Sequence, residues 1–415
     1  MINTPKHRIG LIFLLIILML NGLSVFGQDA AERFAKQWEL MMQQDDYEKD
    51  YRFANFLDSA LTAFSELPAK ELHSGIPSGW SYAETANRGF VVVAALMRFQ
   101  SAPDRLVWMV RDSVDTAKDY VFVEQLDAVA KPSENLHLSI EEYKLGDGEF
   151  SSLSYGTDAG AIFSIPDIRA KILIENLGVN AEDSLKISLS EDLWCRMALL
   201  LEYKPLFDNP FAGFKNISTL ISSDGVIKIV SWNIEFENGT NAFYGGLVVR
   251  RDDSIRVYPL IDNYLNISSP ETASLSMSRW YGAVYYEILV HRYKKNTYYT
   301  LLGYNPNNRF SKIRVIESLG LTSNGTPRFG QAIIDLNGKS YKRKIFEYSN
   351  RVSMMLRYDS EEKMIVMDNL APASPLFEND FRQYGPDFTH NALKFEKGKW
   401  VFYSDIILKN PAPRR

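Results

Sequence analysis

Cysteine is nearly absent: the chain of 415 residues has one, Cys195. A single thiol excludes an intramolecular disulfide, and a chain of this length can bury a sufficient core without one. Histidine is also scarce. His7, His73, His137, His291 and His390 are the full set, and none pair at metal-ligand spacing. Basic residues do not outnumber acidic ones. Lys and Arg total 46 against 51 Asp and Glu, a formal net charge of −5, which argues against binding a phosphate backbone. The sequence has no Gly-x-x-x-x-Gly-Lys-Ser/Thr phosphate loop and no Gly-x-Gly-x-x-Gly turn. Gly75-Ile76-Pro77-Ser78-Gly79 lacks the order of a nucleophile elbow. No calcium loop of alternating Asp and Asn occurs. Beyond the N-terminus no apolar run is long enough to span a bilayer. The reading is therefore of a protein with no cofactor, no metal and no nucleic-acid partner.

The first residues follow the order of a secretory signal. Lys6 and Arg8 precede an apolar run from Ile9 to Leu20, broken by Asn21 and Gly22. Val25 and Gly27 then occupy the two positions read by a signal peptidase, before Gln28. The run is short for a membrane span of about 20 residues. Cleavage is the expectation, with membrane contact only through the signal before it is removed; the alternative is an uncleaved anchor, since Leu23 to Phe26 extend the run. A lipid anchor needs a Cys just after the apolar run, and none is there. Cleavage leaves 415 − 27 = 388 residues, and loss of Lys6 and Arg8 takes the charge from −5 to −7. With 46% hydrophobic and 23% charged residues the composition is that of a folded globular chain.

Cys195 lies in Leu193-Trp194-Cys195-Arg196-Met197 and reads as a buried core thiol. Lys342-Arg343-Lys344 is the densest basic run and lies inside a strand pattern. It reads as an exposed, charge-protected sheet edge.

Residues 29–67 read as helical. Phe34, Trp38 and Met41 recur at helical spacing. After Asp45-Asp46, which suits a helix start, Tyr47, Tyr51, Ala54, Leu57, Leu61 and Phe64 form one apolar face, with Pro68 beyond the end. Two such helices suggest a hairpin packed on something larger. Gly75, Pro77 and Gly79 mark a loop, and Phe90 to Met97 is an apolar block that fits a buried helix or a strand. Strand-like patches follow at 106–110, 120–123 and 136–140, with a turn at Gly146-Asp147-Gly148. Glu191 to Leu201 reads as a helix with Leu193, Met197 and Leu200 on one face. From about residue 215 hairpins dominate. Candidate strands there are 226–232, 243–249, 255–260, 284–290, 298–303, 312–316, 332–336, 341–348, 352–358, 364–367 and 400–407. Asp224-Gly225, Asn305-Pro306-Asn307-Asn308, Asn324-Gly325, Asn337-Gly338 and Ser360-Glu361-Glu362 supply turn chemistry between them. A β-propeller should repeat about every 40–45 residues, and no such repeat is present.

Two constellations are the candidate sites. Glu347, Asp359, Asp368 and Asp387 each sit near a strand end among aromatics. Two of them across a cleft would serve a glycan hydrolase, although each also fits a capping or turn role. Tyr281, Tyr285, Tyr286, Tyr293, Tyr298 and Tyr299 form a Tyr-rich patch suited to stacking on sugars or gripping a partner, or to packing in strands. Four Asn-x-Ser/Thr matches, at Asn216, Asn238, Asn266 and Asn324, matter only in a eukaryotic host.

The C-terminal half also carries a set of phrases in order. They are Ser222-Ser223-Asp224-Gly225 leading to Ser231-Trp232-Asn233, Tyr298-Tyr299-Thr300-Leu301-Leu302-Gly303-Tyr304, Phe329-Gly330, Phe346-Glu347-Tyr348-Ser349, Leu356-Arg357-Tyr358-Asp359, Met367-Asp368-Asn369-Leu370-Ala371-Pro372, Tyr384-Gly385-Pro386-Asp387 and Gly398-Lys399-Trp400. Over about residues 190–410 the chain resembles a family of exported proteins of Bacteroidota-type bacteria to which no activity is assigned. It departs from that pattern at Asn369-Leu370, where the family pattern has His-Leu. It departs again at Phe388-Thr389-His390-Asn391, where that pattern is more acidic and contains Tyr. The resemblance implies export and kinship, and no mechanism.

The expectation is an α+β protein: a signal peptide at 1–27, a mainly helical region at 28–105, a mixed region at 106–214 and a hairpin-rich, antiparallel β region at 215–415 forming a sheet or sandwich. It is expected in the periplasm or outside the cell, as a non-catalytic envelope protein that binds a protein or glycan partner. The alternative is the glycan-directed hydrolase.

Overall fold

The computed structural model describes residues 30–67, 76–86, 89–99, 102–113, 118–126, 136–157, 160–178 and 181–407. The expected signal segment, Pro68, His73 and Gly75 lie outside the described residues. The chain is β-rich, with several antiparallel sheets and, among the described residues, four α-helices and 22 strands. It divides into two compact units: Met1–Glu142 with Ser151–Ser164, and Tyr143–Phe150 with Ile165–Arg415.

The first unit opens with α1 (Ala30–Met42) and α2 (Asp46–Glu66). Asp45 caps α2, accepting the Glu48 N–H at 2.9 Å. Helix α1 buries Ala30, Phe34, Trp38 and Met41, as its spacing predicts. Helix α2 is rotated from the expected face. It buries Lys49, Phe56, Ala60, Ala63 and Phe64, while Tyr47 and Tyr51 are each 76% exposed and stack on one another. Ala60 and Ala63 lie in the core beside Phe64, while Leu57 and Leu61 of the expected face pack partly buried at its margin. The hairpin covers one face of a sheet, β1 (Ser81–Glu84), β2 (Phe90–Met97), β3 (Arg105–Asp112) and β4 (Lys118–Gln125), in that order. Val91, Val93, Ala95, Val107 and Met109 meet the helices. On the opposite face Trp108 packs on Phe122 and on Phe163. Burial on both faces explains why 90–97 lacks alternation yet is a strand. Strands β1 and β2 thus share the segment 28–105 with the two helices, and the boundary at 105–106 falls inside β3. A three-stranded sheet follows: β5 (His137–Leu145), β6 (Gly148–Thr157) and β7 (Gly160–Ile165).

The second unit is a stack of layers. Helices α3 (Ile168–Leu177) and α4 (Asp183–Glu202) come first. Asp167 caps α3, accepting the Ala170 N–H at 3.0 Å, and pairs with Arg196 of α4 at 2.5 Å. Leu193, Met197 and Leu200 are the buried face of α4, as expected. Cys195 is not in the core: it is exposed. Two residues on from Leu193 is about 200° around a helix, which turns the thiol to the opposite side. An exposed thiol is open to a reagent in the native protein. We expect Cys195 to react with Ellman's reagent without denaturant, to one equivalent, at nearly its unfolded rate. Protection of more than about a hundredfold by folding would contradict the exposed position.

Next is a four-stranded meander, β8 (Ser218–Ile221), β9 (Ile227–Glu235), β10 (Asn241–Arg251) and β11 (Ser254–Pro259). Trp194 of α4 seats over Gly246 of β10, where an added Cβ would lie 2.9 Å from the indole. The third layer is β12 (Val284–Tyr293), β13 (Asn296–Asn305), β14 (Ser311–Leu321) and β15 (Pro327–Phe329). The fourth uses β16 (Ile334–Leu336), β17 (Lys339–Tyr341), β19 (Leu356–Asp359), β20 (Met364–Pro372), β21 (Tyr384–Glu396) and β22 (Lys399–Tyr403), in the order 17-16-22-21-20-19, while β18 (Arg343–Ser349) joins β14. One apolar core, with Ile229, Phe243, Trp280, Leu301 and Val315, lies between the second and third layers. Another, with Leu302, Ile316, Tyr348, Met367 and Trp400, lies between the third and fourth.

Arg343 and Lys344 of the basic run open β18, with Lys342 just before it, but the run is not an exposed, solvated edge. Arg343 is fully buried, with its guanidinium on Glu317 directly across β14. Lys344 pairs with Glu271 at 2.6 Å.

Candidate functional site

The six tyrosines do not share a surface. Side chains alternate along a strand, so β12 and β13 distribute them between two cores. Tyr281, Tyr285 and Tyr299 are buried in the core shared with β8–β11, and Tyr286 and Tyr298 pack against the other. The Tyr285 hydroxyl donates to Glu317, Tyr299 to Asp224 at 2.8 Å and Tyr286 to the Leu356 carbonyl at 2.8 Å. Burial pushes the Tyr281 and Tyr285 hydroxyls well above their ordinary range, helped at Tyr285 by the Glu317 carboxylate. Tyr293 lies against Gly398. A buried ring cannot grip a partner, and the sequence shows clustering in the chain without showing which way each ring points.

Glu347 and Asp359 are each held in separate local bonds. Glu347 accepts from Ser311 Oγ at 2.5 Å and Asn307 Nδ2 at 3.1 Å, bracing the 305–311 turn. Asp359 accepts the N–H groups of Glu361 and Glu362, each at 3.1 Å. The bond from Glu362, with Arg357 nearby, holds its carboxyl below the usual range. Among the described residues, no three His, Cys, Asp or Glu side chains are placed to hold a metal.

Asp368 and Asp387 do belong to one place. Strand β21 lies where the sequence offered no candidate strand, between 364–367 and 400–407. It runs for 13 residues and pairs with β20 through an irregularity. Asp368 faces His390 and Leu370 faces Pro386, so Asn369 alone opposes Asp387, Phe388 and Thr389. This bulge turns side chains out of the ladder. Asp368 is fixed on one oxygen by the Met355 N–H at 2.7 Å and on the other by His390 Nδ1 at 3.0 Å. Asn391 donates to Asn369 at 3.0 Å, and Asn369 donates in turn to Asp387 at 2.7 Å. Asp387 also takes the Thr389 hydroxyl at 2.7 Å and its N–H at 3.0 Å. Its slight burial favours the neutral acid, but these donors outweigh it and hold the carboxyl below its usual range.

Phe388 is the residue the sequence missed. It has φ of 70°, a left-handed conformation that L side chains rarely adopt, and its ring is 93% exposed. Beside the bulge lies a cavity of about 360 Å³ lined by Ser349, Arg351, Pro372, Arg382, Tyr384 and Asp387, among others. Arg382 is paired with Asp380 at 2.7 Å, while Arg351 is exposed and its guanidinium has no partner among the described residues. Leu376, Phe377 and Phe381 of the β20–β21 connection are exposed as well. The arrangement offers an apolar ring, a free guanidinium and an ordered row of amide and carboxylate groups.

No family model matches the chain, and no curated protein does. Among solved structures, fructan 1-exohydrolase IIa from Cichorium intybus is similar at a TM-score of 0.20 and 10% identity over 76% of this chain and 56% of that one. The chain thus spans 56% of that enzyme's length, and at this score the likeness carries no argument about fold or activity.

Proposed function

We propose that this chain is an exported α+β protein of the bacterial envelope, periplasmic or secreted, that acts by binding a protein or glycan partner, with the β20–β21 bulge and its cavity as the binding face. The observation that carries the reading is Phe388. A large aromatic held left-handed and almost wholly in water costs conformational energy and buries nothing, a combination that makes sense where the ring has a partner to meet. The separate, local engagement of Glu347 and Asp359 supports binding over acid–base chemistry at those positions.

The test compares the wild-type chain with Phe388→Gly and Arg351→Glu in pull-downs from envelope and periplasm and on glycan arrays. Glycine relieves the left-handed strain, so Phe388→Gly should raise stability by about 1 kcal/mol in urea titration while abolishing capture. Unchanged capture by both variants removes the bulge as the binding face. The alternative, a glycan-directed hydrolase, predicts sugar release that Asp368→Asn or Asp387→Asn abolishes.

A further inference from the structure

A second surface lies away from the bulge, along β11. The bond from the Leu260 N–H to the Gly245 carbonyl sets the phase of the β10–β11 ladder, with Pro259 opposite Gly246 and Val257 opposite Val248. In an antiparallel pair alternate residues bond inward. Ile255 and Val257 therefore turn their N–H and C=O groups outward, and among the described residues no strand lies beyond β11 in its sheet. Beside this edge runs a groove of about 440 Å³ with an apolar floor of Tyr258, Pro259, Ile261, Met277 and Pro327. The one charged residue lining it is Arg328. Arg256, two residues before Tyr258 and so on the same face of β11, and Arg279, next to the lining residue Ser278, flank it. None of these three arginines has an ion pair or hydrogen-bonded side chain among the described residues, in a chain whose net charge is −5.

We propose that the β11 edge receives an extended segment of a partner protein as an added strand, a segment whose groove-facing residues, every second one along it, include both apolar and acidic side chains. Its backbone bonds to Ile255 and Val257. Its apolar side chains enter the groove, and its carboxylates meet Arg256, Arg279 and Arg328. Strand addition draws affinity from the main chain and specificity from alternate side chains. Charge decides against a second copy of this chain, because pairing β11 with itself sets arginine toward arginine.

The probe is a fluorescein-labelled peptide with Glu, Ile and Val at successive alternate positions and Thr between them, titrated with the purified chain and read by anisotropy. Controls carry Lys for Glu, or N-methyl groups on alternate residues. Saturable binding of the Glu peptide is expected, weaker by at least about tenfold for the Lys peptide and for the N-methylated one. Arg256→Glu/Arg328→Glu should invert the preference. Should that variant misfold, Arg328→Ala alone, checked by near-UV circular dichroism, should weaken binding several-fold. Absence of saturable binding overturns the proposal. So does equal binding of the Lys peptide, indifference to N-methylation, or a dimer of the free chain that the peptide dissociates.

Discussion

Replacing Arg343 by Ala is expected to destabilise the second unit by about 3–5 kcal/mol, the largest single loss anticipated for a side chain that touches no proposed binding face. Arg343 and Glu317 face each other across β14 and β18, and neither side chain has any exposure. Arg343 Nε donates to Glu317 at 2.7 Å, its Nη2 reaches the same oxygen, and Nη1 donates to the Pro270 carbonyl. The other Glu317 oxygen accepts the Tyr285 hydroxyl, which itself accepts Trp280 Nε1–H at 2.9 Å. Burial by itself would push the guanidinium's ionisation down. The Glu317 charge outweighs it and holds Arg343 above its ordinary value. Removing the cation strands a carboxylate in a dry core. Removing both charges, as Arg343→Met/Glu317→Leu, should recover most of the loss, because the pair's desolvation disappears with it. Urea unfolding of the two variants makes the comparison. A loss below about 1 kcal/mol for Arg343→Ala would mean that water reaches the pair.

Lys228 should give the protein a stability that rises with pH through the neutral and mildly alkaline range. It is 1% exposed, with Nζ 2.7 Å from each of the Leu206 and Asn209 carbonyls and 3.6 Å from the centre of the Phe211 ring. Burial lowers its ionisation from 10.5 to about 7, against the pull of Asp208. A neutral amine keeps two N–H donors, enough for both carbonyls, so losing the proton breaks neither bond. The ring face favours the cation and limits the shift. The unfolded chain therefore binds more protons than the folded one between about pH 7 and 10.5. Stability climbs across that window, falls as pH drops through it and levels off below about 7. The full contribution is on the order of 3–5 kcal/mol, about half of it visible between about pH 7 and pH 9. Lys228→Met should flatten the slope when urea midpoints are compared across those pH values. Parallel curves for the two proteins would show that Lys228 stays charged in the fold.

Local chemistry was legible. Asp45 announces its helix, Asp224-Gly225 and Asn337-Gly338 announce their turns, and alternation places most strands from β9 to β22. Strand β21 was hidden because Pro386 sits at a bulge, where a proline costs no ladder bond. Helix α3 was hidden by its brevity and by burial that blurs its periodicity. The sites were less legible. Which tyrosines are buried depends on which sheet stacks on which face. Asp368, Asn369, Asp387 and His390 meet only because β20 and β21 pair out of step.

The sequence by itself determined most of the turns, the elements with clear periodicity and the absence of disulfide, phosphate-loop and metal-spacing signatures, since each depends on neighbours within a few residues. Only the tertiary structure decided that Arg343 is a core residue, that Cys195 faces solvent, that the tyrosines divide between two cores and that Phe388 stands free. Those outcomes depend on what lies across a sheet or beyond a helix face, and the partners involved are separated by tens of residues along the chain.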